Sequence, residues 1–263
     1  MRTTLTKLQT MRDKDEKIAV LTCYDASFAA LLETQGTDVL LVGDSLGMVL
    51  QGHENTLSVT LDDMAYHTGC VVRGAKQAFI IADMPFGTFQ IDPQAAFTHA
   101  KKLLVAGAQM VKIEGGAVMV ETLRFLTERG ISVCGHIGLT PQSVNQMGGY
   151  RLQGKESASA QRLIEDAVSL EKAGAGMIVL EAVPALLAAE ITAQLNIPTI
   201  GIGAGAECSG QVLVLHDMLD IYPGKKARFV KNYMQDAVSI ADAVARYVSD
   251  VKSGIFPAKE HSF

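Results

Sequence analysis

Short, almost wholly apolar runs recur along this chain, and segments of helical period separate them. The runs are IAVLTCYD (18–25), VLLVGDS (39–45), AFIIADMP (78–85), MVKIEGG (110–116), ISVCGHIG (131–138), MIVLEAV (177–183) and PTIGIGAG (198–205). QVLVLHDML (211–219) is an eighth candidate that reads equally as a helix. A strand without polar alternation is buried on both faces, which is the mark of a parallel sheet covered by helices. The intervening segments, among them ASFAALLETQ, LDDMAYHTGCVVRGAK, DPQAAFTHAKKLLVAG, AVMVETLRFLTERG, SASAQRLIEDAVSLEKAG and PALLAAEITAQL, place apolar residues at helical spacing. Gly107, Gly130 and Gly174 close three of them as helix stops. Seven or eight such units in 263 residues predict one (β/α)8 barrel domain spanning 1–263. The competing doubly wound open sheet calls for a glycine-rich turn after its first strand, where this chain has TCYDASF. Residues 231–254 read as one long final helix before a short tail.

Five of the runs stop at an ionisable side chain: Asp44, Asp83, Glu114, His136 and Glu181. Taken singly, an acid after a strand is as well explained as the N-cap of the next helix. In a barrel, however, the C-terminal strand ends surround one mouth, where barrel enzymes keep their active sites. Lys112 and Glu114 are two residues apart and point to the same side of the sheet. Four carboxylates meeting in one cleft repel one another, and a divalent cation relieves that cost. Hard carboxylate oxygens without cysteine point to Mg2+ or Mn2+ rather than zinc, and no HExxH pattern is present. His136 reads as an acid, a hydrogen-bond donor to substrate or a buried structural histidine. GIGAGAECSG (201–210) suits either an anion or close backbone packing at the rim, and MGGYRLQG (147–154) reads as a mobile loop offering Tyr150 and Arg151.

The net charge of −5 argues against nucleic acid and against anionic membranes as partners. Four cysteines are scattered without a CxxC pair, which predicts reduced thiols and a cytoplasmic setting. No signal peptide and no run long enough to span a membrane is evident. Charged residues make up only 19 %, which fits either a large interior or surface buried in a homo-oligomer.

VLLVGDSLGMVLQGHENTLSVTLDDMAYHT, IIADMPFG, GAQMVKIEGG, VCGHIGLTPQSVNQMGGYRLQGK, IVLEAVP, IPTIGIGAG and GQVLVLHDML resemble the ketopantoate hydroxymethyltransferase family over almost the whole chain. The resemblance implies a barrel of the phosphoenolpyruvate/pyruvate superfamily, assembled as a decamer. It implies small-molecule substrates: 5,10-methylenetetrahydrofolate gives a one-carbon unit to 3-methyl-2-oxobutanoate, forming 2-dehydropantoate on the way to pantothenate. By that match Asp44, Asp83 and Glu114 fall on magnesium positions. Asp44, Ser45, Asp83 and Lys112 fall on keto-acid contacts, and Glu181 falls on the catalytic base. His136 joins the expected substrate contacts from its strand-end position. Ser209, Asp220 and Ala227 depart from the family's usual aspartate, glycine and proline, which bears on the late loops and the folate contacts. A magnesium-dependent carbon–carbon lyase acting on a 2-oxo or 2-hydroxy acid is the rival reading, and a folate requirement separates the two.

Overall fold

The computed structural model describes residues 2–263. Its strands are β1 (Ile18–Thr22), β2 (Val39–Val42), β3 (Phe79–Asp83), β4 (Met110–Glu114), β5 (Val133–Gly138), β6 (Met177–Glu181), β7 (Thr199–Ile202) and β8 (Gly210–Leu213). They pair in parallel in chain order, and β8 pairs back onto β1 to close a barrel. Every apolar run contributes a strand, and every strand residue is buried except Glu181 at the end of β6. That exception falls on the proposed base.

Helices Ala26–Thr34, Leu61–Gly74, Pro93–Ala106, Val120–Thr127, Ser157–Lys172 and Ala185–Gln194 follow β1 to β6 in turn. The three helix-stop glycines all adopt positive φ, as the sequence requires of them. QVLVLHDML divides: it supplies most of β8 and then the short helix Leu215–Met218. β7 passes to β8 with no helix between them. The glycine-rich stretch there is shaped by packing, because a Cβ on Gly203 or Gly205 would come within 2.6 Å of Phe229 or Ala185.

The final helix is shorter than the sequence pattern suggests, running Ile240–Lys252 rather than 231–254. Residues ahead of it run through bends and a turn and are tied elsewhere: Tyr233 N–H donates to the Met218 carbonyl, and the Asn232 amide donates to Asp220. Ser239 then caps the helix by accepting from Asp242 N–H at 3.1 Å. Sequence reading also missed a helix, Leu5–Asp13, beneath the N-terminal end of the barrel. Its Gln9 and Arg12 side chains donate to the carbonyls of Asn196 and Leu195, just ahead of β7. Among the described residues no helix is long and apolar enough to cross a membrane.

Candidate active site

Barrel register decides which mouth residues touch. Asp83 on β3 pairs with Lys112 on β4, and Glu114 on β4 pairs with His136 on β5. Lys112 and Glu114 share the inward face of β4, so one ammonium lies below and between two carboxylates. Lys112 Nζ stands 3.2 Å from Asp83 Oδ1, 3.8 Å from Glu114 Oε1 and 3.1 Å from His136 Nδ1. Asp44, just beyond β2, joins them through its backbone N–H, which donates to Asp83 Oδ2 at 3.0 Å.

The side chains of Asp44, Asp83, Glu114 and Glu181 do not cap the helices that follow their strands. Capping is carried by other residues, such as Asp25 on Phe28 N–H and Asp92 on Ala95 N–H. The strand-end carboxylates are therefore turned inward, where they are nearly dry: Asp44 is 4 %, Asp83 3 % and Glu114 6 % exposed. Burial pushes Asp44 well above the ordinary carboxylate range, and the charges of Asp83 and Glu114 add to the shift. Burial also raises Asp83, although Lys112 opposes it. For Glu114 burial acts upward too, but hydrogen bonding and charge from His136, then Lys112, outweigh it and hold the group low. Burial would lower Lys112, but Asp83, Glu114 and Asp44 outweigh it and keep the ammonium charged.

His136 lies at the centre of this arrangement. Its Nδ1 is 3.4 Å from Glu114 Oε1, and its Nε2 is 3.2 Å from Glu181 Oε2. Burial and the Lys112 charge push the ring down, while Glu114 and Glu181 lift it, to about 9. A charged ring donates from both nitrogens. A neutral ring accepting from Lys112 at Nδ1 still carries its proton on Nε2. In either state Nε2 lies beside Glu181 as an ion-pair approach at 3.2 Å rather than a well-aligned hydrogen bond. Of the three sequence readings of His136, the structure brings it against protein carboxylates at the heart of the site. The close approach of β6 that this needs depends on Gly138 (φ +90°), where a Cβ would lie 2.3 Å from the Glu181 carbonyl oxygen.

Two participants escaped sequence reading. Gln142, 4 % exposed, donates its side-chain amide to Asp44 Oδ2 (2.8 Å) and the Met84 carbonyl, and its backbone N–H to Glu114 Oε2 (2.9 Å). It thereby ties the β2 and β4 carboxylates together. Tyr24, buried at the end of β1, shares a 2.9 Å hydrogen bond with Ser45 Oγ and fixes that hydroxyl at the mouth. Strand-end logic applied to TCYD would have found Tyr24. Gln142 follows a loop proline and carries no periodic signal.

A magnesium ion fits this donor set by its chemistry. The oxygens are hard, and Asp83 Oδ1 and Glu114 Oε1 are buried with only the ionic approaches of Lys112 and His136, at 3.2 and 3.4 Å, and no well-aligned hydrogen bond. Among the described residues no three His, Cys, Asp or Glu side chains form a ready-made cage. The four cysteines are unpaired, and burial pushes the thiols of Cys23 and Cys134 up to about 12, so neither offers a thiolate.

Solved barrels share this build. The chain superposes on a phosphonopyruvate hydrolase in complex with oxalate and Mg2+ with a TM-score of 0.61 at 11 % identity, over 81 % of each chain. An oxaloacetate acetylhydrolase in complex with the product oxalate gives 0.63 at 14 %, over 95 % of this chain and 97 % of that one. A 2,3-dimethylmalate lyase gives 0.59 at 17 %, over 98 % and 100 %. At such identities the likeness is one of fold alone, a closed eight-stranded parallel barrel. Residues 2–259 match the family model of ketopantoate hydroxymethyltransferase. The chain is 65 % identical to the 3-methyl-2-oxobutanoate hydroxymethyltransferase of Nitrosospira multiformis over the full length of both. It is 62 % identical to that of Methylobacillus flagellatus, over 98 % of this chain and 99 % of the relative. The chain belongs to the ketopantoate hydroxymethyltransferase family.

Proposed function

We propose that this enzyme transfers a hydroxymethyl group from 5,10-methylenetetrahydrofolate to 3-methyl-2-oxobutanoate. The keto acid, the donor and water give 2-dehydropantoate and tetrahydrofolate, in the biosynthesis of pantothenate. Asp44, Asp83 and Glu114 are the carboxylates that would hold Mg2+, which when bound would supply Lewis-acid stabilisation to a 2-oxo acid's oxygens. Ser45, steadied by Tyr24, and Lys112 bind the keto acid's oxygens, the ammonium adding positive charge where negative charge develops. Glu181 takes the C3 proton. It is the least buried of the strand-end groups, with a side chain 13 % exposed, so it can meet substrate with His136 beside it. The C3 carbon then bonds to the donor's methylene carbon; both of that carbon's bonds to the folate nitrogens break, water supplies the hydroxyl, and the nitrogens take up the C3 proton and one proton of the water. The single observation that carries the reading is the inward ring of Asp83, Lys112, Glu114, His136 and Glu181 across four neighbouring strands.

The lyase reading is supported by fold neighbours alone, at 11–17 % identity, against family relatives matched over their full length. We further propose that the enzyme works in the cytoplasm as a homo-oligomer, a decamer by family resemblance. Exposed apolar side chains such as Ile91, Val105, Val118 and Leu186 support a covered surface.

Proton exchange tests the proposal. In D2O with Mg2+, 3-methyl-2-oxobutanoate should lose its C3 proton signal in the presence of the enzyme. Glu181→Gln, which keeps size but cannot accept a proton, should lose exchange and turnover together. Wild-type exchange in a Glu181→Gln variant that no longer turns over would remove Glu181 from the proton-abstraction step.

A further inference from the structure

The loop after β5 reaches back over the mouth. Gly148 and Gly149 both take positive φ, and Gln153 N–H donates to the Ala182 carbonyl next to Glu181, at 2.9 Å. Between these anchors the Tyr150 hydroxyl donates to Met48 Sδ at 3.7 Å, three residues beyond Ser45. Tyr150 therefore spans the opening from the β5–β6 side to the β2 side. Its phenol is pushed up by partial burial and by the charges of Glu181, Tyr222, Asp44 and Glu114. Yet the residue is 53 % exposed, and Phe86, three residues past Asp83, is 50 % exposed. The charged ring fills the floor of the mouth, and the rim above it presents aromatic faces to solvent.

Resting on the proposed reaction, that layout has a consequence for the second substrate. The keto acid's polar end lies against Lys112 and the carboxylates, so the one-carbon donor must approach from the rim. The donor carries its methylene on a tetrahydropterin whose pyrimidinone ring is planar, conjugated and largely neutral beside a reduced, puckered second ring, and the planar ring gains most from stacking on an exposed aromatic face. We propose that Tyr150 is the platform on which the donor's pterin ring stacks, making it a specificity-determining residue for the folate co-substrate. The ring of the tyrosine carries this role.

Calorimetric binding of tetrahydrofolate, the spent donor, to the intact enzyme tests this without turnover. Alanine substitution at stacking positions typically weakens binding by roughly 5- to 150-fold. Tyr150→Ala should therefore raise the Kd for tetrahydrofolate about tenfold or more. Tyr150→Phe, which keeps the ring, should stay within about twofold. Binding of 3-methyl-2-oxobutanoate with Mg2+ should be unaltered in both variants, which also certifies their fold. An unchanged Kd in Tyr150→Ala would overturn the inference alone, as would a Tyr150→Phe variant as weak as the alanine one. Wild-type enzyme that failed to bind tetrahydrofolate at all would overturn the folate reading itself, and this inference with it.

Discussion

Replacing Lys112 with methionine removes the one ammonium at the floor of the site and leaves its stem. Asp83 and Glu114 then lose a cation at 3.2 and 3.8 Å, and Asp44 loses the charge that partly offsets its burial. Breaking a buried pair from one side costs about 3–5 kcal/mol, because the partner's charge stays buried without compensation. For a domain of this size each kcal/mol moves Tm by about 2–4 °C, so the metal-free variant should melt roughly 6–20 °C below the parent. The sign of the pH effect follows from the carboxylates. Asp44 and Asp83 already sit above their ordinary values in the folded protein, so their contribution to stability is present at low pH and lost as pH rises through the folded value. Without Lys112 they rise further, so the penalty should be largest near pH 8 and shrink near pH 5.5. Thermal unfolding of both proteins in EDTA at the two pH values measures this. A drop under about 2 °C at pH 8, or a larger drop at pH 5.5, would refute the reasoning.

Asp83→Asn should abolish Mg2+-stimulated turnover while leaving a folded barrel, seen as unchanged far-ultraviolet circular dichroism. Persistent metal stimulation would exclude Asp83 as a ligand. Gly138→Ala forces a Cβ to 2.3 Å from the Glu181 carbonyl at a φ of +90°, so it should lower stability by about 1–3 kcal/mol in denaturant unfolding and displace the base. Burial raises Asp217 to about 6, opposed by Lys226, so its charged form is unfavourable in the fold above that pH. Asp217→Asn should therefore be more stable than the parent by about 1 kcal/mol at pH 8, after discounting for partial exposure, with the difference gone near pH 4. Light scattering should give a mass many times 28.1 kDa, and a monomer at micromolar concentration would remove the decamer.

The barrel was legible because both faces of its strands are buried, so hydrophobicity alone marked each one. Asp83, Glu114 and Glu181 were legible for the complementary reason: each is the last residue of such a strand, where apolar sequence has no cause to turn ionic. Lys112 followed from two-residue spacing. What sequence could not supply was register. That His136 faces both Glu114 and Glu181 depends on how far β5 slides against β4 and β6. Gln142 depends on where a loop folds back. The final helix was overread because Tyr233 and Ala237 imitate helical spacing, whereas tertiary hydrogen bonds and the Ser239 cap set its true start. Asp220 shows the converse: it departs from the family's glycine yet adopts φ +59°, the conformation glycine would take there. Ser209 bonds reciprocally with Thr199 at the opposite end of the barrel from the mouth, away from the strand-end carboxylates.

The most direct test of the central claim is product formation with the purified enzyme, 3-methyl-2-oxobutanoate, 5,10-methylenetetrahydrofolate and Mg2+. We predict 2-dehydropantoate and tetrahydrofolate in equal amounts, none when the donor is omitted, and none after chelation until Mg2+ is restored. Donor-independent cleavage of a 2-oxo or 2-hydroxy acid, with no 2-dehydropantoate formed, would contradict it.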